Sequence, residues 1–176
     1  MNILVVSGSL NSDSNSRLLA REAERALAAG GHNAIFLDLR ELPLPLCDGE
    51  NAYEHENVLR ADKLIHEADG IIVATPIYNY DANAAVKNLV ELTGDAWENK
   101  VVGFLCASGG ASSFMSIMSL ANSLMLDFRC VVVPRFVYAT GAAFSGDKIV
   151  DSKITARVDE CARATAHLAA AMKQFV

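Results

Sequence analysis

The sequence has no cluster of lysine and arginine, no CxxC pair and no apolar stretch of membrane-spanning length. Each absence removes a class of function. Nucleic-acid backbones are held mainly by clustered cations, so a chain of formal charge −6 without such a cluster reads as a partner of small molecules and not of nucleic acid. Charged residues interrupt every apolar run well short of the ~20 residues needed to cross a bilayer, and residues 3–6 are too few for a signal-peptide core. The expectation is a cytoplasmic protein with no membrane contact. Cys47, Cys106, Cys130 and Cys161 are scattered, and no histidine stands at ligand spacing from them, so neither a zinc site nor a redox dithiol is expected. They read as buried free thiols. His55 and His66 have no evident third ligand and read as surface residues. Three motifs are also missing: GxxxxGK[ST] of nucleotide hydrolases, GxGxxG of dinucleotide folds and the GxSxG nucleophile elbow. No repeat, linker or low-complexity tract divides the chain.

What is present is apolar material in short runs. A hydrophobic content of 52% over 176 residues suffices for one domain, residues 1–176, with a core on two faces. Strand-like runs recur at 3–7, 34–37, 70–75, 101–107 and 130–133. Between them lie helical spacings: Leu18, Leu19, Ala23, Ala26 and Leu27 within 16–29, and Val58, Ala61, Leu64 and Ile65 within 55–67. A further helix runs through Ala84, Val86 and Leu89 with Asp81 or Asn83 as its cap, and a last one starts near Asp151 and should close the sheet's edge. Strands alternating with helices indicate a parallel sheet covered on both faces. With right-handed crossovers, the expected architecture is a flavodoxin-like α/β three-layer sandwich, five parallel strands in the order 2-1-3-4-5. Ligands in such sheets lie beyond the carboxyl ends of the strands, next to the switch point between strands 1 and 3.

Three loops fall on that rim. The first, Ser7-Gly8-Ser9 followed by Asn11, Ser14, Asn15 and Ser16, is rich in small neutral donors and lacks lysine. Ser14, Asn15 and Ser16 fit either an ordinary helix cap or an anion cradle at a helix N-terminus. The second loop is Pro76-Ile77-Tyr78-Asn79, with Tyr78 either a lid on the core or a flat contact for a ligand. The third is Ser108-Gly109-Gly110, either a flexible turn or a close backbone approach.

The segments GSLNSDSNSRLLA, ATPIYNYDANAAVKNLVEL and ASGGASS resemble the NADPH-dependent FMN reductases of the flavodoxin-like superfamily, which include quinone, azo-dye, chromate and free-flavin reductases. The resemblance extends from Asn2 to about Val133. It implies that Ser9, Ser14 and Ser16 bind the FMN phosphate with Asn11 and Asn15 beside them. It also implies that Pro76, Ile77, Tyr78 and Asn79 wrap the isoalloxazine edge, and that Ser108, Gly109 and Gly110 offer backbone donors near its pyrimidine end. The sequence departs from the pattern at Asn11, where the family often has arginine, at Asp13, a carboxylate beside the phosphate contacts, and at Tyr80, where glycine is common. The lost arginine leaves NADPH and NADH both open as donor. Asp13 must face outward if FMN binds, and Arg17 reads as a surface residue.

No residue is expected to act as acid, base or nucleophile, because hydride transfer from nicotinamide to flavin needs only stacking at close range. The implied function is an FMN-dependent oxidoreductase passing electrons from NADPH or NADH to a small-molecule acceptor. The alternative is a flavodoxin-type carrier serving protein partners. A phosphorelay receiver on the same fold would need acidic residues where Ser7-Gly8-Ser9 and Thr75-Pro76 stand. Residues 114–126 are helical in spacing but apolar nearly all round, with Phe114, Met118, Ala121 and Met125 on one stripe and Ile117, Leu120, Leu124 and Phe128 on another. One stripe suffices to cover a sheet, so the second predicts a homodimer or homotetramer.

Overall fold

β1 (Asn2–Ser7), β3 (Gly70–Tyr78) and β5 (Val101–Ser108) are continuous apolar runs because both of their faces are covered. In the computed structural model, which describes residues 1–173, they form the parallel centre of the sheet. β2 (Asn33–Asp38) lies outside β1. Residues 174–176 of the expected 1–176 domain lie outside the described residues. β1 stops where Ser7 pairs with Ala74, whereas β3 continues beside β5 until Pro76 meets Ala107. This stagger opens a crevice above the end of β1. It also explains a proline inside a central strand. Ala74 turns its carbonyl toward β1, where it accepts the Gly8 amide at 2.8 Å; two residues on, Pro76 faces the same side, past the last β1 pair, where no N–H is needed.

The sheet has seven strands and not five, so the expected count and order are corrected. The path β2-β1-β3-β5-β6 carries β6 (Val131–Val132) at its end, and β7 (Val137–Thr140) also pairs with β5. The anticipated strand at 130–133 is thus a short piece beside Val101 and Val102, and a second piece resumes beside residues 105–108. Pro134 and the left-handed Arg135 (φ 60°) separate them. β4 (Asp81–Ala82) folds back antiparallel on the end of β3. Its two-residue turn, Asn79 and Tyr80, has φ values of 50° and 67°, the pattern that lets a tight hairpin match strand twist. A separate hairpin pairs β8 (Phe144–Ser145) with β9 (Lys148–Ile149).

Alternate side chains of β1 feed two cores. Ile3 and Val5 pack with Leu19, Ala23 and Leu27 of α1 (Asn15–Ala29) and with Ala162 and Ala166 of α5 (Ser152–Met172). Leu4 and Val6 belong to the opposite core, which includes residues of α2 (Glu56–Glu67), α3 (Ala84–Thr93) and α4 (Met118–Phe128). α5 therefore lies on a face of the sheet and does not close its edge as expected. It sits close because Gly103 of β5 has no side chain: a Cβ there would stand 2.7 Å from Thr165 Oγ1 and 2.9 Å from Cys161 Sγ. α4 begins four residues later than the 114–126 spacing suggested. Its Leu120, Ala121 and Leu124 are buried while Met125 and Leu126 are exposed, as are Phe114 and Met115 just before it.

The free thiols divide in the same way. Cys106, Cys130 and Cys161 are buried, and Cys47 is half-buried. Burial pushes Cys130 and Cys161 up to about 11 and raises Cys106 further.

Candidate functional site

The first loop owes its shape to one side chain. Arg17 is not a surface residue, as expected, but is only 16% exposed and paired with Asp38 at the end of β2 (Nε to Oδ2, 2.7 Å). Its Nη1 donates to the carbonyls of Asn11 (2.7 Å) and Ser12 (3.2 Å), and its Nη2 donates to that of Ser9 (3.0 Å). A guanidinium offers five donors in a fixed fork, and here the fork gathers three loop carbonyls on one side. Ser14 is the N-cap of α1; its Oγ accepts from the Arg17 amide at 3.4 Å and stands 3.0 Å from Ser16 Oγ. The amides of Asn15 and Ser16 have no protein acceptor among the described residues, as the geometry of a helix start dictates. Ser9 is buried, its Oγ accepting from the Asn11 amide at 3.2 Å.

The second loop is tied to the first by Asn83. This residue stands at the N-cap position of α3, yet its side chain makes no cap there. Its Nδ2 donates to the Gly8 carbonyl at 2.7 Å, and its Oδ1 accepts from Thr75 Oγ1 at 2.9 Å. Gly8 is demanded by the same junction, because a Cβ there would come within 2.2 Å of Val86 Cγ2. Pro76, Ile77 and Tyr78 follow, with Tyr78 55% exposed and so no lid on the core.

The third loop is braced by Tyr138 of β7. Its Oη donates to the Gly110 carbonyl at 2.5 Å and lies 2.8 Å from Ser113 Oγ, which in turn is 3.1 Å from Ser108 Oγ. Phe114 packs edge-on against Tyr138 with ring centroids 5.6 Å apart.

These loops enclose a cleft of about 200 Å³. Ser9, Asn11, Ser14, Asn15, Ser16, Pro76, Ile77, Tyr78, Ser108 and Gly109 all line it. Asn79 and Gly110 do not: Asn79 is spent on the hairpin turn, and the Gly110 carbonyl is held by Tyr138. Asp13 and Gly141 line it as well. Asp13 is exposed, and its amide donates to Asn11 Oδ1 at 3.1 Å. Sequence reasoning missed the roles of Arg17, Asn83 and Tyr138, which arise from contacts across 5 to 75 residues of chain, and the place of Gly141 in the lining; none of these leaves a spacing signal.

Hydroxyls and free amides at one end suit a phosphate without a cation. An apolar edge at Pro76 and Ile77 with the exposed ring of Tyr78 suits a flat heterocycle. A Cβ on Gly109 would meet nothing within 4 Å, so the third loop leaves open space where a ring edge would lie. The donor set fits FMN.

A parallel sheet with an uncharged anion cradle over its first strand and a flat apolar edge over its third defines a flavodoxin-like mononucleotide-binding protein. The chain belongs to the NADPH-dependent FMN reductase family, whose sequence profile matches residues 1–145. It is 29% identical over 136 residues to an NAD(P)H-dependent FAD/FMN reductase of Geobacillus thermodenitrificans, covering 76% of this chain and 74% of that one. It is 24% identical over 143 residues to an NADPH azoreductase of a Bacillus species, covering 80% and 78%. Among solved structures, the flavoenzyme NAD(P)H:(acceptor) oxidoreductase of Paracoccus denitrificans shares the fold, with a TM-score of 0.74, 22% identity, and coverage of 94% and 97%.

Proposed function

We propose that this chain, acting over residues 1–176 as one FMN-binding unit, is an NAD(P)H-dependent reductase that delivers electrons through FMN to a small acceptor such as a quinone, azo compound, metal oxyanion or free flavin. FMN supplies the two-electron chemistry. Ser14 and Ser16, with the amides of Asn15 and Ser16, would hold its phosphate. Pro76, Ile77 and Tyr78 would flank its ring, and Ser108 and Gly109 would direct donors at it. Donors of this kind favour the form in which negative charge develops nearby. The single observation that carries the reading is the convergence of the three loops on one cleft whose hydrogen-bond donors are neutral and whose one charged lining residue is the exposed Asp13. Either NADPH or NADH serves as donor.

Among the described residues no helix is long and apolar enough to cross a membrane, and we infer a cytoplasmic setting. We further infer a homodimer or homotetramer in which Phe114, Met115, Met125 and Leu126 are covered; Leu126 is 85% exposed in the single chain. Sedimentation at the mass of one subunit would contradict that assembly. For the activity, the purified chain supplied with FMN should oxidise NADPH or NADH in the presence of a quinone, with the parallel double-reciprocal lines of a two-stage exchange. Failure with both donors and every acceptor class named would refute it.

A further inference from the structure

Beside the cofactor cleft lies a larger hollow of about 470 Å³, on the other side of the first loop. Leu10, between the cleft residues Ser9 and Asn11, forms one wall although it is 58% exposed. Leu44 and Leu46 form another, and Ala85 on the first turn of α3 contributes only a methyl group to its lining. The second wall is preformed. Asn88 of α3 accepts from the Cys47 amide at 2.8 Å and donates from Nδ2 to the Pro45 carbonyl at 2.8 Å, so it clips the 45–47 segment from both sides.

Arg40 lines the same hollow. Its guanidinium makes no hydrogen bond among the described residues, and its one ion pair is a loose 3.6 Å contact with the exposed Glu41. In a chain of net charge −6, Arg40 brings unused guanidinium donors to the lining of a mostly apolar hollow. A guanidinium matches a carboxylate in a planar two-point contact, while leucine walls and an alanine floor leave room for a flat ring. Hollows of about 300–1,000 Å³ are of the size that takes small-molecule ligands.

We infer that this hollow binds a small planar aromatic carboxylate, with Arg40 pairing the carboxylate and Leu10, Leu44 and Leu46 enclosing the ring. The inference concerns binding and goes beyond the reductase reading: it assigns a second subsite that shares the first loop as a wall with the cofactor cleft, and it stands whether or not FMN is reduced.

The test uses 2-naphthoate and its neutral counterpart 2-naphthamide, titrated by calorimetry into the full chain with and without saturating FMN. Naphthoate should bind in both conditions, and at least about tenfold more tightly than the amide, the worth of one charge-assisted hydrogen bond. Arg40→Gln should erase that preference, and Leu44→Ala should weaken both ligands alike. Equal affinity for acid and amide, or an unchanged preference in Arg40→Gln, would overturn the proposal. It would also be overturned if neither ligand binds; should Leu46→Asp then dissociate a dimer, the hollow belongs to a second copy of the chain. A chain that binds naphthoate but not FMN would leave this site standing while removing the cofactor reading.

Discussion

Arg17 shows how a loop without lysine can still be built for an anion. Its positive charge is consumed by Asp38, which is 9% exposed, and by three carbonyls, so it contributes order to the cradle and not a direct counter-charge. Lysine could keep the ion pair but lacks the planar fork. Arg17→Lys should therefore keep the fold with a lowered thermal midpoint, the loop carbonyls losing their donors, while FMN affinity, read by quenching of flavin fluorescence, falls on the order of tenfold, about one charge-assisted hydrogen bond. An unaltered affinity would show that the loop holds its shape without the fork.

At the scale of elements, the junction of β1, β3 and α3 fixes the distance between the first two loops. Gly8→Ala would drive a methyl group into Val86 Cγ2, and overpacking of this kind costs about 1–3 kcal/mol. Urea unfolding should report that loss, with part of it regained in the Gly8→Ala, Val86→Ala pair; full stability in the single variant would mean the junction yields freely. The strands and helices that make up this junction were legible in the sequence because β1 and β3 are uninterrupted apolar runs and α1 and α3 carry 3.6-residue spacing. The broken fifth position was not. Val131 and Val132 read as part of one strand, and nothing local announced that pairing resumes at Val137 after Pro134. The site was legible where small polar residues cluster at strand ends, as in Ser14 to Ser16 and Ser108-Gly109. It was illegible where a distant side chain decides the geometry, as Tyr138 does for Gly110. Tyr80 lies between these cases. The sequence marked it as a departure from glycine, and only its φ of 67° shows a bulky residue held in the left-handed region, a strain of order 1–3 kcal/mol retained beside the site.

For the whole molecule, Asp69 joins the start of β1 to the end of α5. It accepts from the Asn2 amide at 2.7 Å and pairs with Lys173. Burial pushes its carboxyl up, but the Lys173 hydrogen bond, the Asn2 amide and the Lys173 charge together outweigh burial and hold it below the usual carboxylate range. A depressed folded-state value stabilises the fold above the unfolded value of about 3.9 and loses that contribution as pH falls through the folded one. Chemical unfolding should thus show stability declining from about pH 4 downward, and Asp69→Asn should be less stable at neutral pH with a shallower acid decline. Identical profiles would remove Asp69 from the acid response. The reductase reading depends on one site gripping one cofactor with uncharged donors. The most direct measurement is equilibrium titration of FMN into the wild-type chain and into the Ser14→Ala, Ser16→Ala double variant, with helix content followed in parallel. The expected result is saturable binding by the wild type and affinity weakened by at least about a hundredfold in the variant, each of the two hydroxyls lost being a hydrogen bond to a charged group, with the fold retained. No binding by the wild type, or equal affinity in both proteins, would contradict it.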